Sequence, residues 1–113
     1  MDEERRGLRF AFSASAVIAP EGSPAVYVPA PVTELSLRGC FLGTTASFEI
    51  QGPVLVKIHN CGDEFEAEAS VLYVRPSGLG LVFREITPHF RAVLQKWVLT
   101  ALDNQPDASQ TPG

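Results

Sequence analysis

The sequence predicts an all-β domain: five or six short strands, curled or closed into a small antiparallel barrel, with one helix covering an open end or face. Three observations predict it. Apolar residues alternate with a period of two through most of the chain. Nine prolines and nine glycines in 113 residues break that alternation with turns. Near the end of the chain the apolar spacing changes to three and four residues, the stripe of an amphipathic helix. A half-buried sheet and a striped helix bury both apolar sets only by packing on each other.

From Leu8 the run LRFAFSASAVIA places Leu8, Phe10, Phe12, Ala14, Ala16 and Ile18 on one face. PEGSP at 20–24 has turn chemistry. Val26 and Val28 extend a short strand that Pro29 and Pro31 restrict to an edge or bend. Val32 to Leu42 reads as the next strand, with Glu34 and Ser36 on one face and Leu35 and Leu37 on the other. After Pro53, Val54, Val56 and Ile58 share one side, and Leu55, Lys57 and His59 the other. Asn60-Cys61-Gly62-Asp63 has the composition of a hairpin loop. The return strand puts Phe65, Ala67, Ala69, Val71 and Tyr73 on one face, and Glu66, Glu68 and Ser70 in water. Pro76-Ser77-Gly78 turns the chain again, and LGLVF forms a further strand. Thr87 and Pro88 start a helix over about 88–102, with a hydroxyl cap and a proline at the first helical position. Phe90, Val93, Leu94, Trp97, Val98, Ala101 and Leu102 form its stripe, a packing surface for the barrel, while Arg91, Gln95 and Lys96 lie opposite.

This divides the chain into a flexible segment 1–8, a single domain 9–102 and a disordered, polar tail 103–113. The 45% apolar and 19% charged content suits one globular domain. The uncharged run from Ala11 to Pro20 is too short and too polar to span a bilayer, and no cleavage site follows a greasy core. A soluble, cytoplasmic protein without membrane insertion is expected. The net charge of −4 argues against DNA or RNA as a partner, because polyanion binding relies on neutralising phosphates. It leaves room for one small phosphorylated ligand held by a local cluster of arginines. Cys40 and Cys61 lack a C-x-x-C neighbour and are expected to be reduced.

Catalytic constellations are missing. His59 and His89 have no Cys or His at metal-ligand spacing. Ser36 sits in no G-x-S-x-G elbow, and SGLGL is followed by a strand pattern, not by the helix of a dinucleotide fingerprint. No enzyme activity, metal or cofactor is expected. Two groups of binding residues remain. Arg5, Arg6 and Arg9 stand before the first strand, and in extended chain residues four apart lie roughly 13 Å apart on one side. Arginine makes bidentate bonds to phosphate and stacks flat on a purine. In TELSLRGCF, Glu34 can accept from a guanine edge or hold an arginine, Ser36 adds a small donor and acceptor, and Gly39 admits close backbone approach.

Together the two groups resemble the PilZ domain family. Arg5-Arg6-Gly7-Leu8-Arg9 fits the family's R-x-x-x-R at Arg5 and Arg9. Glu34-Leu35-Ser36-Leu37-Arg38-Gly39 is similar to its D/N-x-S-x-x-G, with Glu34 where the family has Asp or Asn. GLGLVFREITP and the following helix also look like the end of such a domain. The resemblance spans about residues 5 to 102 and implies a six-stranded antiparallel β-barrel with one C-terminal α-helix. Many PilZ domains are non-catalytic bacterial receptors for the second messenger cyclic di-GMP, in signal transduction. By resemblance, Arg5 and Arg9 grip the ligand from a mobile segment, with Glu34, Ser36 and Gly39 on the barrel surface beneath. Arg6 and Arg38 are secondary candidates. Ordering of the segment would signal to a downstream protein that the sequence does not identify. The alternative is a PilZ-like interaction module without useful cyclic di-GMP affinity, of the kind found in type IV pilus assembly.

Overall fold

The structure, a computed structural model, describes residues 9–22 and 26–103. Arg5 and Arg6, with the rest of segment 1–8, lie outside the described residues, as do 104–113 of the expected tail. Among the described residues, seven strands and one helix follow in order: β1 (Phe10–Pro20), β2 (Val28–Pro29), β3 (Val32–Leu35), β4 (Gly39–Leu42), β5 (Pro53–Asn60), β6 (Asp63–Arg75), β7 (Gly78–Glu85) and α1 (Pro88–Asp103).

Six of the strands close a barrel. The hydrogen-bonded order β1-β3-β4-β7-β6-β5 returns to β1 through the β1–β5 pairing, and every pairing is antiparallel. Closure removes the open edges that would otherwise invite pairing with another chain. The two-residue β2 adds to β1 at Val17 and Ile18, in keeping with the prolines that confine it to an edge. Ile18, Leu35, Leu42, Ile58, Phe65 and Leu79 fill the interior and are fully buried.

The helix closes one side of the barrel, as its stripe predicts. Thr87 supplies the carbonyl that accepts the first helical bond, from Arg91 N–H at 2.8 Å, and Pro88 takes the first helical position. Leu94, Trp97 and Val98 are buried; Phe90, Val93 and Ala101 are half-buried against the core. The side chain of Leu102 lies outside the described set. Trp97 packs on Phe12 and Phe65 with ring centroids 5.5 and 6.1 Å apart. No helix among the described residues is long and apolar enough to cross a membrane.

Turn chemistry sets the pairing of β5 and β6. Cys61 and Gly62 both have positive φ, 50° and 86°, the two-residue turn whose twist matches an antiparallel ribbon. Beside it, Asp63 accepts a hydrogen bond of 2.7 Å from Lys96 Nζ, which ties the hairpin to α1.

Two expectations need correction. Val32 to Leu42 is not one strand: β3 ends at Leu35 and the chain reverses through Ser36-Leu37-Arg38 into β4. Ser36 therefore does not share an exposed face with Glu34, and is only 4% exposed. The second concerns Tyr73, expected on the core face with Val71. A bulge lies between Val71, which pairs with Leu81, and Tyr73, which pairs with Gly80. Two residues of β6 thus oppose one step of β7, and since Leu81 faces inward its neighbour Gly80 faces outward. Tyr73 follows Gly80 to the outer face.

The Lys96 hydrogen bond holds the Asp63 carboxyl below its ordinary value. A depressed folded-state value contributes stability above the ordinary pKa, near 3.9, and that contribution is lost as pH falls towards the folded value. Asp63→Asn should lower the urea midpoint at pH 7, with the difference from wild type shrinking below about pH 4. A pH-independent difference would mean the pair is not the source.

Candidate functional site

The reversal between β3 and β4 is built on one side chain. Ser36 Oγ accepts hydrogen bonds from the N–H groups of Arg38 and Gly39, both at 3.1 Å, and its hydroxyl lies 3.3 Å from the Gly39 carbonyl. That carbonyl also accepts from Ser36 N–H at 2.9 Å. Short hydroxyl side chains stabilise turns by such local bonds to backbone. Gly39 is required for a different reason: a Cβ there would strike the Leu81 carbonyl on the neighbouring β7. The Arg38 carbonyl then accepts from Phe83 N–H at 2.8 Å, which pins the turn to β7.

Beside this turn lies a cleft of about 490 Å³, within the range of about 300–1,000 Å³ usual for small-ligand sites. Ser36 and Gly39 line its floor, and Leu37, Leu72 and Ile86 add apolar surface. Arg9, Arg38, Arg84 and Arg91 also line it, and among the described residues no carboxylate does. Four of the nine basic residues of an acidic chain thus converge on one hollow. Such a hollow favours an anion bearing flat, partly apolar groups.

Arg9 stands between this cleft and a second one of about 310 Å³, lined also by Glu34, Phe41, Tyr73, Arg75 and Ser77. Its Nη1 donates to the Tyr73 hydroxyl at 2.6 Å and lies 3.4 Å from Glu34 Oε1. The Tyr73 hydroxyl first, and Glu34 after it, raise the Arg9 pKa above the ordinary arginine value, so the guanidinium is a permanent cation. Cys40, behind the turn, is wholly buried; burial pushes its thiol up to about 12 against the opposing pull of Arg9. A thiol so raised is a packing group and not a nucleophile.

The structure brings together Arg9, Glu34, Ser36, Arg38 and Gly39. Ser36 and Gly39 are buried lining, not open surface, and the Ser36 hydroxyl is engaged within the turn. Arg5 and Arg6 lie outside the described residues. Sequence reasoning missed Arg84 and Arg91, which reach the cleft from the end of β7 and the first turn of α1. No local spacing marks them, because β7 reaches β4 only by pairing between strands distant in sequence, and α1 reaches the cleft only by packing on the barrel. Tyr73 was missed because strict alternation assigned it to the core.

A family model described as PilZ domain matches residues 3–100. No curated protein matches the chain. Among solved structures, the fold is similar to the PilZ domain of CeSA from a cellulose-synthesizing bacterium, at TM-score 0.67 and 14% identity. That match covers 83% of this chain and 97% of the other. It is also similar to the Bacillus subtilis inhibitor of motility MotI/DgrA, at TM-score 0.67 and 17% identity. There the match covers 87% of this chain and 51% of the other, so the chain spans about half of that protein's length.

The turn predicts its own mutational signature. Ser36→Ala takes the hydroxyl acceptor from the buried Gly39 N–H and the partly buried Arg38 N–H and should cost about 1–3 kcal/mol of stability in urea denaturation. Gly39→Ala should cost at least as much, since backbone and not a flexible side chain blocks the new methyl. Wild-type stability in both variants would contradict the roles given to them.

Proposed function

The chain belongs to the PilZ domain family, and we propose that it is a non-catalytic receptor for cyclic di-GMP that passes ligand occupancy to a partner protein. The observation that carries this reading is the cleft beside the Ser36–Gly39 turn, with four guanidinium groups and, among the described residues, no carboxylate along it. A cyclic dinucleotide carries two phosphates and two flat guanines, which matches arginines that bind phosphate bidentately and stack on purines. Arg9 and Arg38 border the turn and take the near phosphate and base. Arg5, four residues before Arg9, reaches the ligand from the N-terminal side, with Arg6 secondary. Gathering that segment around the ligand is the signal, an ordering step that changes the surface offered to a partner.

A second reading is favoured by one observation. Glu34 occupies the position of the family's Asp or Asn and pairs with Arg9 at 3.4 Å, so a carboxylate competes with any phosphate for that arginine. This supports an interaction module with little ligand affinity, using exposed apolar residues such as Leu72 and Val74.

Calorimetric titration with cyclic di-GMP separates the two. The receptor reading predicts saturable heat in the wild type and a loss of about tenfold or more in affinity for Arg9→Ala and for Arg5→Ala, since a charged hydrogen bond contributes about 1.5–3 kcal/mol. Glu34→Asp should tighten binding by shortening the competing side chain. Absence of heat from the wild type at high micromolar ligand would assign the chain to the interaction modules.

A further inference from the structure

We propose that Tyr73 is a positioning residue of this site: it stands over Gly80 and holds Arg9 at the mouth of the cleft by its hydroxyl. The proposal rests on the cyclic di-GMP reading for its effect on binding, but its geometry stands apart from any ligand.

The strand registers place these groups in one row. Ala11 pairs with Glu34, Glu34 with Phe41, Phe41 with Gly80, and Gly80 with Tyr73, across β1, β3, β4, β7 and β6. The bulge in β6 puts Tyr73 into this outward row instead of the core. Gly80 leaves a notch in it: a Cβ there would overlap the Tyr73 ring, so only glycine lets the ring lie across β7 towards Phe41. The two rings are stacked, 6.2 Å apart and 29° from parallel. From that seat the phenol oxygen accepts from Arg9 Nη1 at 2.6 Å. Two guanidinium groups also share the ring, with Arg75 Cζ at 4.7 Å and Arg9 Cζ at 5.6 Å from its centroid.

Glu34 cannot do the same work. Its carboxylate is the weaker contact, at 3.4 Å, and it repels an arriving phosphate. The phenol is neutral and can keep Arg9 in place while the ligand takes the remaining guanidinium donors. An arginine already held loses less rotamer freedom on binding, and that preorganisation is where Tyr73 acts.

The test compares Tyr73→Phe, which keeps the ring and removes the acceptor, with Gly80→Ala, which displaces the ring. Two quantities are read: the Kd for cyclic di-GMP, and the Arg9 Nε–Hε resonance of the free protein, assigned with Arg9→Lys. Tyr73→Phe should raise Kd about tenfold, shift the Arg9 resonance and leave the urea midpoint near wild type. Gly80→Ala should shift the same resonance while Tyr73 is still present. An unmoved Arg9 resonance in Tyr73→Phe overturns the proposal, even if Kd rises, because Tyr73 would then act on the ligand directly. An unchanged Kd with a shifted resonance overturns it too. If the wild type binds no cyclic di-GMP, the receptor reading fails separately, and the free-protein resonance alone decides whether Tyr73 holds Arg9.

Discussion

The Ser36 hydroxyl closes the turn from which the rest of the site is built. By accepting from Arg38 and Gly39 it ends β3, starts β4 and sets their register, Leu35 opposite Cys40 and Glu34 opposite Phe41. That register sends Leu35 and Cys40 into the core and leaves Glu34 and Phe41 outside. Gly39 then allows β4 to approach the backbone of β7, and the Arg38 carbonyl fastens the turn to Phe83. Without this reversal there would be no floor for the cleft and no outer row to receive Arg9. The parts are buried and mutually bonded, so the arginines above them stand on a rigid base.

Electrostatics sets the character of the hollow above this base. The chain is acidic overall, yet the cleft gathers Arg9, Arg38, Arg84 and Arg91 with no lining carboxylate among the described residues. The acids sit just outside it: Glu34 near Arg9, and Glu21 3.3 Å from Arg84. Exposed pairs of this kind contribute little to stability, so they can exchange partners with a ligand at small cost. A cationic hollow among the described residues of an acidic chain suits a small anion.

Much of the barrel was legible because its strands obey period two over long runs. Val54, Val56 and Ile58, and Phe65, Ala67, Ala69 and Val71, are buried as alternation predicts, and the Leu94–Trp97–Val98 stripe seats α1. What alternation could not express was local breakage. Ser36 looked like a strand residue because Leu35 and Leu37 flank it with regular spacing, yet its hydroxyl turns the chain. Tyr73 looked like core because nothing in FEAEASVLYV marks where a bulge falls. Arg9, Glu34, Arg38 and Gly39 were visible as candidates because they lie in short motifs. Arg84 and Arg91 depend on contacts between elements distant in sequence, the β4–β7 pairing and the seating of α1, which no local pattern displays.

The proposed receptor role requires cyclic di-GMP to bind over the Ser36–Gly39 turn. Mapping backbone amide shifts while cyclic di-GMP is added tests it most directly. The largest changes should fall on Arg9, on residues 36–39 and on Arg84, with β5 and the far end of α1 little affected. Changes centred on β5 and the Cys61–Gly62 turn, or none at saturating ligand, would contradict it.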